Sequence, residues 1–168
     1  MVRFLYLVAL AFIGAFFLRA FAFERIVVAS GSMEPTLPVG TKVMVNKLVY
    51  KIRSPERGDI VTFPSPVAKK DLVKRIIAVA GDHARIVRKQ IILNGRPLME
   101  PYVQHTRPNE LLMGDDVDLG SVPPGFVVLM GDNRDESGDS RDWVGRVTGV
   151  PVPFVPVKSI EGKLMVEK

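Results

Sequence analysis

Asp71-Leu72-Val73-Lys74-Arg75-Ile76-Ile77-Ala78-Val79-Ala80-Gly81-Asp82 reads as a β-strand closed by a Gly-Asp turn. Apolar and β-branched residues fill it, and the only interruptions are two adjacent cations. Strand alternation puts Lys74 on one face with Leu72 and Ile76, and Arg75 on the other with Val73 and Ile77. A lysine on an apolar face is unusual, because burying an ammonium costs several kcal/mol. The amine escapes by losing its proton. At the ordinary lysine pKa only about one amine in 2,500 is neutral at pH 7, and desolvation can lower that pKa by about 3–5 units, creating a general base. Taken alone, the segment also fits a lysine that snorkels off a half-exposed strand.

The flanking sequence has the same character. Ile26-Val27-Val28, Lys42-Val43-Met44-Val45 and Asp59-Ile60-Val61-Thr62-Phe63 precede it as strand-like runs. Arg85-Ile86-Val87-Arg88, Gln90-Ile91-Ile92-Leu93 and Phe126-Val127-Val128-Leu129-Met130 follow. Asn94-Gly95 is a tight hairpin signal. Residues 103–121 lack periodicity and are expected to form a loop. Thirteen prolines and fourteen glycines suit many turns and few helices. The expected architecture is all-β, a partly closed barrel.

The N-terminus differs. Residues 4–18 are unbroken apolar sequence, followed by Arg19 and Ala20-Phe21-Ala22-Phe23, and six of the nine phenylalanines lie in the first 23 residues. About twenty helical residues span about 30 Å, the thickness of a bilayer's hydrocarbon core. Residues 4–23 are therefore expected to form a single transmembrane helix, with Arg19 snorkelling near its far end. Arg3 and the α-amino group favour a cytoplasmic tip at 1–3 and an extracytoplasmic body at 24–168. The small-x-small triplet Ala20-Phe21-Ala22 also fits a cleavable secretory signal, but Arg19 directly precedes it. Either way the body is exported.

Composition removes other classes. The absence of cysteine excludes disulfides, thiol catalysis and Cys-based zinc sites. All acidic residues lie at or beyond Glu24, so most of the net charge of +5 stays with the body. Residues 42–75 are the most basic, yet they lack the aromatics of a nucleic-acid stacking platform, and no nucleic-acid partner is expected.

Two further segments could carry chemistry. In Ala29-Ser30-Gly31-Ser32-Met33-Glu34-Pro35-Thr36-Leu37, two serines flank a glycine directly after a strand. Such a turn can present a hydroxyl beside converging backbone N–H groups, as acyl transfer requires. Ser-Gly-Ser is also common in ordinary loops. Gly131-Asp132-Asn133-Arg134-Asp135-Glu136-Ser137-Gly138-Asp139-Ser140-Arg141-Asp142-Trp143 is dense in alternating charge. Read as an EF-hand, it puts Val144 where a bidentate Glu is needed, so no calcium site is expected. The two histidines, His83 and His105, lack zinc spacing, and nothing in the sequence orients His83 as a triad base.

Taken together, these segments resemble the type I signal peptidases, serine peptidases that use a Ser–Lys dyad. The family's boxes run in order here as residues 30–37, Arg57-Gly58-Asp59-Ile60-Val61-Thr62-Phe63, Lys74-Arg75 with Gly81-Asp82, and residues 131–141, with Asn94-Gly95 and Glu100-Pro101-Tyr102 between them. The resemblance spans about 15–145. It implies Ser32 as nucleophile, Lys74 as general base, and the Ser32 backbone N–H with the Ser30 hydroxyl as oxyanion hole. It further implies that Ser137 hydrogen-bonds and orients the Lys74 amine, and that Asp139 and Arg141 pair to hold the loop.

By the same resemblance, the substrates are exported preproteins cut after small residues of the Ala-x-Ala kind. The setting is a membrane lipid surface, the enzyme a monomer without metal or cofactor. A related Ser–Lys peptidase dedicated to self-cleavage or to one precursor has the same signature. Departures from the family pattern are Ala29, Ala78, Ala80, an extra residue in Asp142-Trp143-Val144-Gly145 and a proline-rich stretch at 149–156. Residues 143–160 therefore have no expected placement. The chain is too short for the large accessory β-domain of some relatives.

Overall fold

The computed structural model describes residues 2–145 and 149–166. Met1, 146–148 and 167–168 lie outside it, as do the side chains at 2, 9, 11, 13 and 15–20, Arg19 among them. The chain opens with helix α1, Val2–Ala22. Phe4, Leu5, Tyr6, Leu7, Leu10, Phe12 and Phe21 on it are exposed. Among the described residues no helix is long and apolar enough to cross a membrane.

Eleven strands follow: β1 Phe23–Val27, β2 Lys42–Asn46, β3 Ile60–Pro64, β4 Asp71–Val79, β5 His83–Val87, β6 Gln90–Leu93, β7 Arg96–Pro97, β8 Val117–Ser121, β9 Phe126–Met130, β10 Val155–Pro156 and β11 Gly162–Met165. Seven of them form a curled antiparallel half-barrel in the order β1-β2-β11-β3-β4-β9-β10, with β1 and β10 at its edges. The other four make a second antiparallel sheet, β7-β6-β5-β8. The fold is thus mostly β, and the curled large sheet with its two edges fits the expected partly closed barrel.

β9 shows why an unbroken apolar run is needed at the centre. Val128 and Met130 pack with Ile77, Ala84, Ile86, Ile91 and Leu93 between the two sheets. Val127 and Leu129 face the other way, into a cluster with Val61, Phe63, Ile76 and Trp143. A strand buried on both faces loses period-2 alternation and reads as continuous hydrophobicity. A third cluster, of Val28, Met33, Leu37, Val45, Ile60 and Leu164, underlies the turn that carries Ser32.

Three expectations need correction. The segment 103–121 is not all loop: its last five residues are β8, paired to β5. Asp118 and Gly120 interrupt the apolar pattern there, and the pairing carries a bulge at Ala84/Arg85 that shifts the register. In β4 the alternation fails at a second bulge, where the β9 register shifts between Ile76 and Ala78. Ile76, Ile77 and Ala78 are consequently all buried, and Ile77 leaves the face of Val73 and Arg75 for the inter-sheet core. Finally, β1 starts at Phe23, one residue inside the expected anchor, and pairs Phe23 with Asn46.

The stretch without an expected placement is described at 143–145 and 149–160, while 146–148 lie outside the described residues. Trp143 packs against Phe63 in a tilted arrangement, with ring centroids 5.9 Å apart and planes at 59°. β10 caps the β9 edge, and β11 inserts between β2 and β3. Gly162 permits that insertion. A Cβ there would lie 2.5 Å from Val45 Cγ1 and 2.8 Å from Asn46 O.

Candidate active site

Ser32 sits in a single 3₁₀ turn, Gly31–Met33, that follows Ser30 in extended backbone. The first N–H groups of a helical turn have no partner within it, so this one leaves donors free beside the serine. Met33 and Leu37 anchor the turn in the core, and Leu37 N–H donates to Met33 O at 2.8 Å. The Ser32 hydroxyl is therefore held on a packed base rather than on a loose loop.

Lys74 comes from the middle of β4, opposite Val61 of β3. Its Nζ donates to Ser32 Oγ at 2.8 Å, and the residue is only 2% exposed. The strand and the turn thus bring together two side chains 42 positions apart. Burial pushes the Lys74 amine down to about 8. Asp139 partly offsets that shift, while the charges of Arg141 and Lys70 reinforce it. Ser30 Oγ lies 3.3 Å from Ser32 Oγ.

The 131–141 segment closes the back of this site. Asp139 is fully buried and bound by Arg141 through two donors, Nε at 2.9 Å and a terminal nitrogen at 3.0 Å. Burial pushes the Asp139 carboxyl upward, but Arg141 outweighs it and holds the group below the usual range. Ser137 Oγ donates to Asp139 Oδ2 at 2.7 Å. The expected hydrogen bond from Ser137 to the Lys74 amine is not formed among the described residues. The reason is competition, since an ionised carboxylate two residues away is the stronger acceptor.

Gly131 makes the approach of this segment to the serine possible. A Cβ there would overlap both Ser137 and the Ser32 carbonyl oxygen. Asn133 N–H donates to that same carbonyl at 3.1 Å.

Sequence reasoning missed one supporting group. Arg75 donates to Asp132 at 2.8 Å through Nε and at 2.5 Å through a terminal nitrogen. Thr36 donates to Asp132 Oδ2 at 2.5 Å, and the Arg75 guanidinium lies 3.9 Å from the Tyr102 ring centroid. These contacts tie the strand next to Lys74, the turn after Ser32 and the 131–141 segment to one another. The available signal was Asp132 itself, an acid at the start of a segment read for Ser137, Asp139 and Arg141.

The remaining candidates lie elsewhere. His83 Nε2 is 3.5 Å from Asp118 on the second sheet, and His105 Nδ1 is 3.4 Å from Asp135, so neither histidine serves Ser32. Among the described residues no group of three or more His, Asp or Glu is placed to hold a metal ion.

A cavity opens directly on Ser32. Ser30, Met33, Val28, Ala29, Val45, Thr62, Leu72 and Val73 help line it, and its volume is about 200 Å³. β9 covers β4 only from Arg75 to Val79, so residues 71–74 pair with β3 on one side and with no described strand on the other. A small apolar cavity beside an open strand edge suits an extended peptide with short side chains.

A serine hydroxyl and a buried amine in contact, at the mouth of a peptide-sized cleft on a β half-barrel, define a class of serine hydrolase. The chain belongs to the family described as signal peptidase, peptidase S26, whose model matches residues 1–167. Members of the signal peptidase I family are serine endopeptidases. Signal peptidase I P of Bacillus subtilis subsp. natto is 35% identical over 145 residues, covering 84% of this chain and 78% of that protein. Signal peptidase I of Bacillus caldolyticus is 37% identical, covering 88% and 80%. Signal peptidase I of Leptolyngbya laminosa is 30% identical over 95% of this chain and 75% of its own. A crystal structure of a signal peptidase I from Enterococcus faecalis superposes with a TM-score of 0.54 at 29% identity, covering 68% of this chain and 99% of that one. These likenesses support signal-peptide removal by a serine peptidase.

Proposed function

We propose that this protein removes signal peptides from exported preproteins with Ser32 as nucleophile and Lys74 as general base, working from a membrane anchor at residues 4–23. The observation that carries the reading is the 2.8 Å contact between Lys74 Nζ and Ser32 Oγ, made by an amine almost completely out of water.

In the first step, Ser32 Oγ forms a bond to the scissile carbonyl carbon while its proton passes to neutral Lys74 Nζ. The resulting oxyanion is met by the Ser32 backbone N–H and the Ser30 hydroxyl. As the tetrahedral species collapses, the carbon–nitrogen bond breaks and the Lys74 ammonium returns its proton to the leaving amine. Lys74 then takes a proton from water as it attacks the acyl carbon, and on collapse the carbon–Oγ bond breaks while the Lys74 ammonium returns that proton to Ser32 Oγ.

Arg141 and Ser137 act on Lys74 through Asp139. They hold one negative charge close enough to steady the transient ammonium, yet bound firmly enough by Arg141 not to keep Lys74 protonated at rest. The about 200 Å³ cavity favours short side chains next to the bond cut, as in Ala-x-Ala sites. The anchor reading is supported by the unbroken apolar sequence of residues 4–18 and by the exposed phenylalanines and leucines of α1. Such a surface is stable in lipid and costly in water. The body at 24–168 then lies on the extracytoplasmic side, the tip at 1–3 is cytoplasmic, and substrate arrives by lateral diffusion.

The test uses detergent-solubilised full chain and a preprotein with an Ala-x-Ala site. Ser32→Ala and Lys74→Ala should each lower kcat by at least about 10³-fold with the fold intact by circular dichroism. Undiminished cleavage by either variant rejects the dyad.

A further inference from the structure

The cavity at Ser32 has an uneven charge. Three acidic residues, Glu24, Asp71 and Glu161, line it together with apolar and hydroxyl residues, and no Lys or Arg does. That is unexpected in a chain with 23 basic residues against 18 acidic ones. Glu24 is neutralised by Lys47 at 2.5 Å, whereas Asp71 and Glu161 have no ion pair among the described residues.

Their positions follow from the sheet. Asp71 opens β4, three residues before Lys74, and alternation puts it on the same side as Val73, which lines the cavity. Val73 is the cross-strand partner of Thr62, and Glu161 donates its backbone N–H to Thr62 O at 2.9 Å. Asp71, at the start of β4, and Glu161, just before β11, therefore flank the Thr62–Val73 floor from two sides. At about 3.3 Å per residue, Asp71 lies about 10 Å along the open strand edge from Lys74.

We propose that Asp71 and Glu161 are specificity-determining residues that favour preproteins carrying a lysine or arginine about three to five residues from the bond cut. This rests on the reading of Ser32 and Lys74 given above. An extended peptide laid along residues 71–74 meets the short apolar floor next to the scissile bond and the two carboxylates further out. The carboxylates sit at a cavity mouth with low-dielectric walls, where unpaired charge acts over longer distance than on an open surface. The pairing discriminates because the same rim repels an acidic side chain.

The experiment takes the full chain in a non-ionic detergent and a series of preprotein-derived peptides with a fixed Ala-x-Ala site. One residue at a time, from five before to five after the bond, is made Lys, Gln or Glu. We expect kcat/KM for Lys to exceed that for Glu about three- to tenfold at one or more positions three to five residues from the bond. That ratio should fall as salt rises from low to molar concentration. In Asp71→Asn and Glu161→Gln, each folded by circular dichroism, it should approach one. Equal rates for Lys and Glu peptides in the wild type, or a ratio that survives both substitutions, overturns the proposal. The Gln peptide separates the two readings: if the wild type leaves it uncut, the dyad fails rather than the rim.

Discussion

Lys74 is a residue costly to the fold and, on the function proposed above, central to its chemistry. Its amine titrates near 10.5 when unfolded and at about 8 when folded, so the native state resists holding the proton. Activity should therefore rise with pH through about 8, where the fraction of neutral amine climbs, and a kcat/KM profile measures that limb directly. An acid optimum would contradict Lys74 as base.

The same shift has a stability consequence. Below pH 8 the folded chain carries the full penalty of a buried ammonium, and the penalty disappears as pH rises from 8 to 10.5. Lys74→Met should therefore melt higher than wild type at pH 7, by about 1–3 kcal/mol, and the gap should narrow towards pH 10.5. Gly131 makes the opposite trade. Gly131→Ala would drive a methyl against Ser137 and the Ser32 carbonyl. It should cost about 1–3 kcal/mol by thermal melting and lower kcat by more than tenfold with little change in KM. Ser32 and Lys74 each stood out in their local pattern, but only the resemblance to the signal peptidase boxes joined them into one expected site. The Ser137–Asp139 bond was not, since whether a hydroxyl points at an amine or a carboxylate is settled only when all three share a pocket.

Among the elements, the turn between β5 and β6 is the least obvious from local sequence. Arg88 and Lys89 occupy it with φ of 46° and 71°, the mirror-image geometry that glycine and asparagine ordinarily supply, as Asn94-Gly95 does one hairpin later. Lys89 offsets the backbone cost by reaching inward to Asp115 at 3.0 Å and Asp135 at 2.5 Å. Burial raises Asp135, but Lys89, the Arg107 N–H and His105 together outweigh it and bring the carboxyl down to about 2. The hairpin is thereby pinned to the segment that backs the active site. Replacing Arg88-Lys89 by Asn-Gly should ease the turn and still destabilise the protein by about 2–4 kcal/mol, because two buried carboxylates lose their cation. Chemical denaturation at pH 7 measures it. A more stable variant would show that the tether contributes nothing.

On the scale of the whole molecule, the C-terminus completes the wall of the cleft. β11 is held between β2 and β3, and Lys163 on it reaches Asp59 at 2.7 Å. Removing residues 162–168 should expose the edges of both neighbouring strands and abolish cooperative unfolding, read by circular dichroism against temperature. Removal of residues 1–19 should act differently. On the proposed reading of residues 4–23 as an anchor, the truncated body should cleave a short soluble peptide at close to the wild-type rate, but should lose most of its activity on preproteins embedded in vesicles, where an anchor would provide lateral encounter. By itself, the sequence determined the strand-rich body, the apolar N-terminal segment, the hairpin at Asn94-Gly95 and the two residues on which catalysis is proposed to turn. All of these are written in short-range pattern: period, turn chemistry, and a cation or hydroxyl out of place. Only the tertiary structure decided that Ile77 leaves its face at a bulge, that β8 exists, that β11 travels back between β2 and β3, and that Asp71 and Glu161 meet at one cleft. Those features depend on pairing between strands far apart in the chain, and no local periodicity records which distant edge a strand will find.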